Sequence, residues 1–172
     1  MTPINYLEIS VDITEFSMLV VRQLLPWHEN ISKRQVKAPK VCLADTGILH
    51  TLLNLRTFKD LEGHPKIGAS WESFVLEQVV RRLDARNEEC FFWATHAGAK
   101  LDLLVVRGRR RFGFEIKRTS SPQITKSMRN AISDLKLSQL DIIHAGDQTF
   151  PLSRQVRAVS SSRLLKDLKP LL

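Results

Sequence analysis

Residues 100–117 carry two apolar runs, Leu101 to Val106 and Arg111 to Lys117, joined by Arg107-Gly108-Arg109-Arg110. A two-residue turn at Gly108-Arg109 fits between them, because glycine at the first turn position favours the II′ geometry. That turn sets Arg107 across from Arg110, Asp102 across from Glu115 and Lys100 across from Lys117. One face then holds Leu101, Leu103 and Val105 against Phe112, Phe114 and Ile116, all apolar. The other holds Lys100, Asp102, Leu104 and Val106 against Arg111, Gly113, Glu115 and Lys117. A slip of one residue would mix charges into the apolar face, so this register is the one expected.

Two carboxylates directly opposed across an antiparallel pair have Cβ atoms roughly 4.5–5.5 Å apart, and like charges at that range destabilise the sheet. A divalent cation relieves the repulsion, and Mg²⁺ is typically held by one or two carboxylates plus phosphate oxygens. Such an ion polarises a phosphodiester and makes a water more acidic. Lys117, two residues beyond Glu115 on the same face, is placed to stabilise developing negative charge or to orient the attacking water. The same spacing also suits a solvated cross-strand ion network of Asp102, Lys117 and Lys100, and spacing alone leaves both readings open.

The remaining elements follow from periodicity and punctuation. Leu19 to Leu25 is a β-like run stopped by Pro26, and Lys40 to Ala44 is a second, with a basic loop between them; together they resemble a hairpin or wing. Asp45-Thr46-Gly47 opens a short amphipathic segment with Ile48, Leu49, Leu52 and Leu53 at helical spacing. Ser70 is placed to cap a helix in which Trp71, Phe74, Val75, Val79 and Leu83 recur. Cys90 to Thr95 reads as a strand ahead of the hairpin. Behind it come a helix from about Thr125 to Leu135, a strand from Leu140 to Ala145, a strand near Val156 and a basic helix from Ser161 to Leu168.

Composition narrows the class. Lys and Arg number 26 against 18 Asp and Glu, a net charge of +8 that attracts polyanions, nucleic acid above all. The alternative is a protein that is basic without a polyanionic partner. No stretch of about twenty uncharged apolar residues is present, which excludes an ordinary transmembrane helix. Met1-Thr2-Pro3-Ile4 lacks the basic start and apolar run of a secretory signal, so a cytoplasmic location is expected. Cys42 and Cys90 sit singly in apolar settings and the five histidines are scattered, which argues against a disulfide framework and a zinc site. Trp27, Trp71 and Trp93 read as packing residues, and of the histidines only His96, just ahead of the Asp102 strand, lies near the expected site.

The order helix, three strands, helix, strand, with Asp102 on the second strand and Glu115-Ile116-Lys117 on the third, resembles the PD-(D/E)XK nuclease superfamily. More narrowly, the chain resembles the C-terminal domain of unknown function of prokaryotic AAA-type ATPases. That likeness rests on Leu25-Pro-Trp-His-Glu-Asn-Ile-Ser-Lys-Arg34, Lys40-Val-Cys-Leu-Ala-Asp-Thr-Gly-Ile-Leu49, Gly68-Ala-Ser-Trp-Glu-Ser-Phe-Val75, Gly98-Ala-Lys-Leu-Asp-Leu-Leu104 and Phe114-Glu-Ile-Lys117. The resemblance implies an α/β fold with an αβββαβ core and a mixed sheet over residues 63–172. Residues 1–62 would form a partial winged-helix-like connector. It also implies Asp102 and Glu115 as ligands of Mg²⁺ (or Mn²⁺), Lys117 as the catalytic lysine and Glu72 as a further catalytic acid on the first helix. An acid following Ser70 in a first turn equally suits the helix dipole. Lys100 departs from the family pattern, which usually has an acid there, and its charge would weaken metal binding. Nothing in the chain reads G-x-x-x-x-G-K-[ST], so no ATP site is carried over.

Arg109 at the turn and Arg118, Lys126 and Arg129 beyond the third strand are the expected phosphate contacts, with Arg107, Arg110 and Arg111 crowding the same turn. A solvated turn and helix face would hold the same residues. The function expected is therefore a Mg²⁺-dependent DNA endonuclease or a relic of one. The alternative is a catalytically inactive module that binds nucleic acid or, through the N-terminal segment, a protein partner.

Overall fold

The hairpin expected around Gly108 forms the centre of the molecule. The structure is a computed structural model and describes residues 20–171. Leu19, where the first β-like run begins, and the opening Met1-Thr2-Pro3-Ile4 lie outside the described residues. β4 (Lys100–Arg107) and β5 (Arg110–Lys117) pair antiparallel, with Arg107 on Arg110, Val105 on Phe112 and Leu103 on Phe114. Gly108 has φ +59 and Arg109 is not among the positive-φ residues, as a II′ turn requires.

Around this pair the described residues build a mixed, eight-stranded sheet of order β2-β1-β3-β4-β5-β6-β8-β7. β3 (Cys90–Ala94) flanks β4 antiparallel, while β6 (Gln139–His144) runs parallel to β5 and β8 (Val156–Ser160) parallel to β6. The two-residue β7 (Phe150–Pro151) closes one edge. At the other edge β1 (Val21–Pro26) and β2 (Lys40–Leu43) form the expected antiparallel hairpin, and β1 lies parallel to β3. The N-terminal hairpin therefore shares one sheet with the strands that follow it.

Helices cover both faces. α3 (Ile67–Leu83) packs Val75, Leu76, Val79 and Leu83 on Leu103, Val105, Phe112, Phe114 and Ile116. α4 (Lys126–Leu135) packs Met128, Ala131 and Leu135 on Trp93, Leu101, Leu104, Leu140 and Ile142. Each fully buried Val, Leu, Ile, Phe or Met among them contributes about 1.5–3 kcal/mol. α4 begins where expected, because the Thr125 side chain accepts from Met128 N. Gly113 leaves room for this layer, since a Cβ there would stand 2.6 Å from Leu137 Cδ1. α1 (Thr46–Leu52) and α2 (Phe58–Gly63) precede α3, and α5 (Leu164–Asp167) follows β8. No helix among the described residues is long and apolar enough to cross a membrane.

Three expectations are corrected. Leu101 does not share a face with Leu103 and Val105 but joins the α4 side. The cause is a β-bulge: Phe91 pairs with Leu104 and Trp93 with Leu101, so β4 has one residue more than β3 over this span. Ser70 does not cap α3. The helix starts at Ile67, and the Ser70 hydroxyl is instead 2.7 Å from His50 Nε2 of α1. Phe74, expected in the core, is 49% exposed.

Arg107 and Arg111, on either side of the β4–β5 turn, have structural partners. Arg107 donates to Glu89 at 2.9 and 2.7 Å and also to the carbonyls of Asp84 and Leu171, tying the strand end to the C-terminal segment. Arg111 is 2.5 Å from Glu29 and lies over Trp27. The Arg107 guanidinium, with the Arg86 N–H, holds the Glu89 carboxyl down at about 2, below its ordinary 4.5. A depressed acid stabilises the fold above its unfolded pKa and loses that effect as pH falls through the folded one. Urea midpoints of wild type and Glu89→Gln should therefore differ most above pH 4.5 and converge as pH falls toward 2. A gap that stays constant with pH would show that the ion pair contributes nothing.

Candidate functional site

The bulge lies at the end of the β4–β5 pair remote from the turn, and it carries Asp102. Regular pairing runs only to Leu103 and Phe114; beyond them Ile116 N donates to Asp102 Oδ2 at 3.0 Å instead of to a strand carbonyl. Bulges of this kind re-aim a side chain and end local pairing. Asp102 and Glu115 are nonetheless both buried, at 4% and 2% exposure.

Glu115 has one satisfied oxygen. Lys117 Nζ is 2.7 Å from Oε1. Among the described residues, Oε2 is the one buried side-chain oxygen or nitrogen with no hydrogen-bond partner. Burial pushes the Glu115 carboxyl above its ordinary value and the charge of Asp102 pushes it further, against the opposing pull of Lys117 and, more weakly, Lys100. Burial alone would lower the Lys117 ammonium, but Glu115, Asp102 and Glu72 together raise it. Three acids and this amine thus share one electrostatic neighbourhood.

Glu72 comes to the site from α3. With the helix starting at Ile67 it lies beyond the first turn, where the dipole would reward an acid. Its partner is Lys40 of β2, whose Nζ is 2.5 Å from Glu72 Oε1 and 3.7 Å from Asp102 Oδ1. Desolvation would depress the Lys40 ammonium, yet Asp102 and Glu72 reverse this and hold it above the usual lysine value. Lys40 was not recognised as a site residue from spacing. It lies in the hairpin far from the acids in sequence, and only the sheet order brings it there.

The expected phosphate contacts divide. Arg118, directly after Lys117, and Lys126 and Arg129 on α4 are exposed. The start of α4 is joined to the start of β4, where Ser127 Oγ accepts from Lys100 N at 2.8 Å and donates to Lys100 O at 3.0 Å. Lys100 is itself exposed at this end. Arg109 is exposed too, but it lies at the opposite end of the hairpin, about 17–20 Å along the strand from Glu115 at the ordinary rise per residue. The structure does not bring it to the acids. His96 is exposed, and His144 is buried with Nε2 3.0 Å from the Gln148 carbonyl. Trp27 packs edge-on against Phe91, and Trp93 Nε1 donates to Gln35.

Two carboxylates here each keep one oxygen that would be open to a divalent cation. Asp102 Oδ2 is taken by a backbone N–H, leaving Oδ1; Glu115 Oε1 is taken by Lys117, leaving Oε2. Among the described residues no three His, Cys, Asp or Glu side chains gather into one metal-holding cluster, and Glu72 is paired with Lys40. Two carboxylates are within the usual requirement of Mg²⁺, which completes its shell with water and phosphate oxygens.

A raised acid costs the fold stability once ionised, and that cost grows as pH rises from the unfolded pKa toward the folded one. Glu115→Gln should therefore raise the thermal midpoint at neutral pH in metal-free buffer by a few degrees. At a pH below the ordinary carboxyl value the gain should vanish. A lowered midpoint at neutral pH would mean that the Lys117 contact outweighs the burial cost.

Residues 67–164 match the family described as "Domain of unknown function (DUF4143)", and residues 15–59 match "Domain of unknown function (DUF8612)". The chain is 51% identical over 147 residues to an uncharacterised protein of Mycobacterium bovis and, to the same extent, to one of Mycobacterium tuberculosis. Each match covers 86% of this chain and 33% of the relative, so the chain spans about a third of the length of these curated proteins. No solved structure matches it.

Proposed function

The chain belongs to the DUF4143 family, and we propose that it is a Mg²⁺-dependent DNA endonuclease built on a PD-(D/E)XK-type core. The reading is supported by the succession α3, β3, β4, β5, α4, β6, with Asp102 on the second of these strands and Glu115-Ile116-Lys117 on the third. The observation that carries it is Glu115 Oε2, a buried oxygen with no hydrogen-bond partner among the described residues, beside a second buried acid. Leaving such a group unsatisfied costs about 1–3 kcal/mol or more, a cost that a bound cation would offset. The longer relatives, by the likeness to C-terminal domains of AAA-type ATPases, would add the ATPase part.

Hydrolysis adds water across one P–O bond of the backbone: the water oxygen joins phosphorus and a proton ends on the leaving oxygen. Mg²⁺ held by Asp102 Oδ1 and Glu115 Oε2 would supply positive charge to the scissile phosphate and increase the acidity of the attacking water. The chain's own groups do the rest. Lys117 fixes Glu115 Oε1 so that the other oxygen stays free, and its ammonium offsets charge that develops on the phosphate. The Ile116 N–H fixes Asp102. Lys100, Arg118, Lys126 and Arg129 offer exposed charge to the flanking phosphates and fix register without reading sequence.

A second reading is favoured by Lys40: its ammonium already neutralises Glu72 and Asp102, as it would in a module that binds nucleic acid without cutting it. Incubation of supercoiled and branched DNA with the protein and Mg²⁺ or Mn²⁺ separates the two. Cleavage should require the ion and fall by about 10²-fold or more in Asp102→Asn, Glu115→Gln and Lys117→Ala. Wild type that binds DNA in a salt-sensitive manner yet cuts no DNA form with either ion would sink the nuclease reading in favour of the binding module.

A further inference from the structure

The cation nearest Asp102 Oδ1 belongs to the protein. Lys40 Nζ stands 3.7 Å from that oxygen and 2.5 Å from Glu72 Oε1. The other Asp102 oxygen is engaged by Ile116 N, so Lys40 faces the only carboxylate oxygen that Asp102 has left to offer a ligand. Lys40 opens β2, which among the described residues is the outermost strand of its edge and pairs with β1. That hairpin is fastened to α3 by the Arg22–Glu77 ion pair. Beside the ammonium lies a 210 Å³ cleft lined by Lys40, Cys42, Glu72 and Ser73 among others, which gives the lysine side chain space to withdraw.

From this geometry we infer that Lys40 is the site's resident counter-ion, which a divalent cation must displace from Asp102, so that the β1–β2 hairpin sets the affinity of the site for metal. The inference rests on the nuclease reading. Its physical content is competition: two cations drawn to one oxygen repel each other. In partly screened protein, a unit charge a few ångströms from a divalent ion changes binding by about tenfold or more. In this arrangement Glu72 is a positioning residue. It receives the Lys40 ammonium, and anything that lifts β2 away releases both acids at once.

Mn²⁺ titration of the metal-free protein, followed by electron paramagnetic resonance, tests this without reference to cleavage. Lys40→Met keeps the apolar stem and removes the charge; Lys40→Arg keeps the charge. Thermal unfolding of each variant confirms a folded sample. Lys40→Met should bind Mn²⁺ about tenfold tighter than wild type or better, Lys40→Arg should bind as wild type does, and Asp102→Asn added to Lys40→Met should abolish the gain. Equal or weaker binding by Lys40→Met, or a gain shared by Lys40→Arg, overturns the inference. If wild type binds Mn²⁺ and cuts DNA while Lys40→Met is no tighter, only the role of Lys40 falls. If neither protein binds the ion, the metal-site reading falls with it.

Discussion

Asp102 and Glu115 are buried together where the β4–β5 ladder gives way, and much of the local architecture answers the cost of that placement. Desolvation and mutual repulsion both oppose ionisation of Glu115. The fold meets part of the cost with a backbone N–H on Asp102 and with two amines, Lys117 from within β5 and Lys40 from the far hairpin. Among the described residues one buried oxygen, Glu115 Oε2, is left unsatisfied. Buried polar groups are almost always paired, and in the proposed site a bound cation would satisfy this one.

The bulge in β4 is central to this arrangement. It ends regular pairing just before Asp102, frees Ile116 N to hold the carboxylate and turns Leu101 to the α4 side. The sheet behind it is well sealed, with α3 and α4 packed on opposite faces, so the acids sit at the end of a rigid scaffold rather than in a loop. The N-terminal hairpin extends the same sheet and delivers Lys40. The segments matched by two different families are thus joined through strand pairing as well as through the site.

Much of this was legible in the sequence because local rules govern it. Gly108 fixed the turn, alternation fixed the register from Leu103 to Arg107, and Thr125 marked the start of α4. That register stops at Leu103 and Phe114, so the direct opposition of Asp102 to Glu115 and of Lys100 to Lys117 expected from it is not formed, and Ile116 N meets the Asp102 carboxylate instead. What was not legible depends on contacts between distant segments. A bulge leaves no mark in period-two alternation, so Leu101 was expected on the wrong face. Ser70 looked like a cap because its partner, His50, belongs to another helix. Arg107 and Arg111 looked like phosphate ligands because Glu89 and Glu29 are remote in sequence. Lys40 lay in a quoted motif, yet its role appears only once β1 is laid beside β3. By contrast, α2 carries a local signal of its own, the capping pair Thr57 and Asp60.

The account's central claim is that Asp102 and Glu115 grip one ion between them. A crystal of the protein soaked in Mn²⁺ and measured at the manganese absorption edge tests it directly. One anomalous peak should appear within bonding range, about 2.0–2.2 Å as for similar hard cations, of both Asp102 Oδ1 and Glu115 Oε2, with Lys40 withdrawn. No peak at the pair, or a peak bound to only one of the two acids with Lys40 still in place, would contradict it.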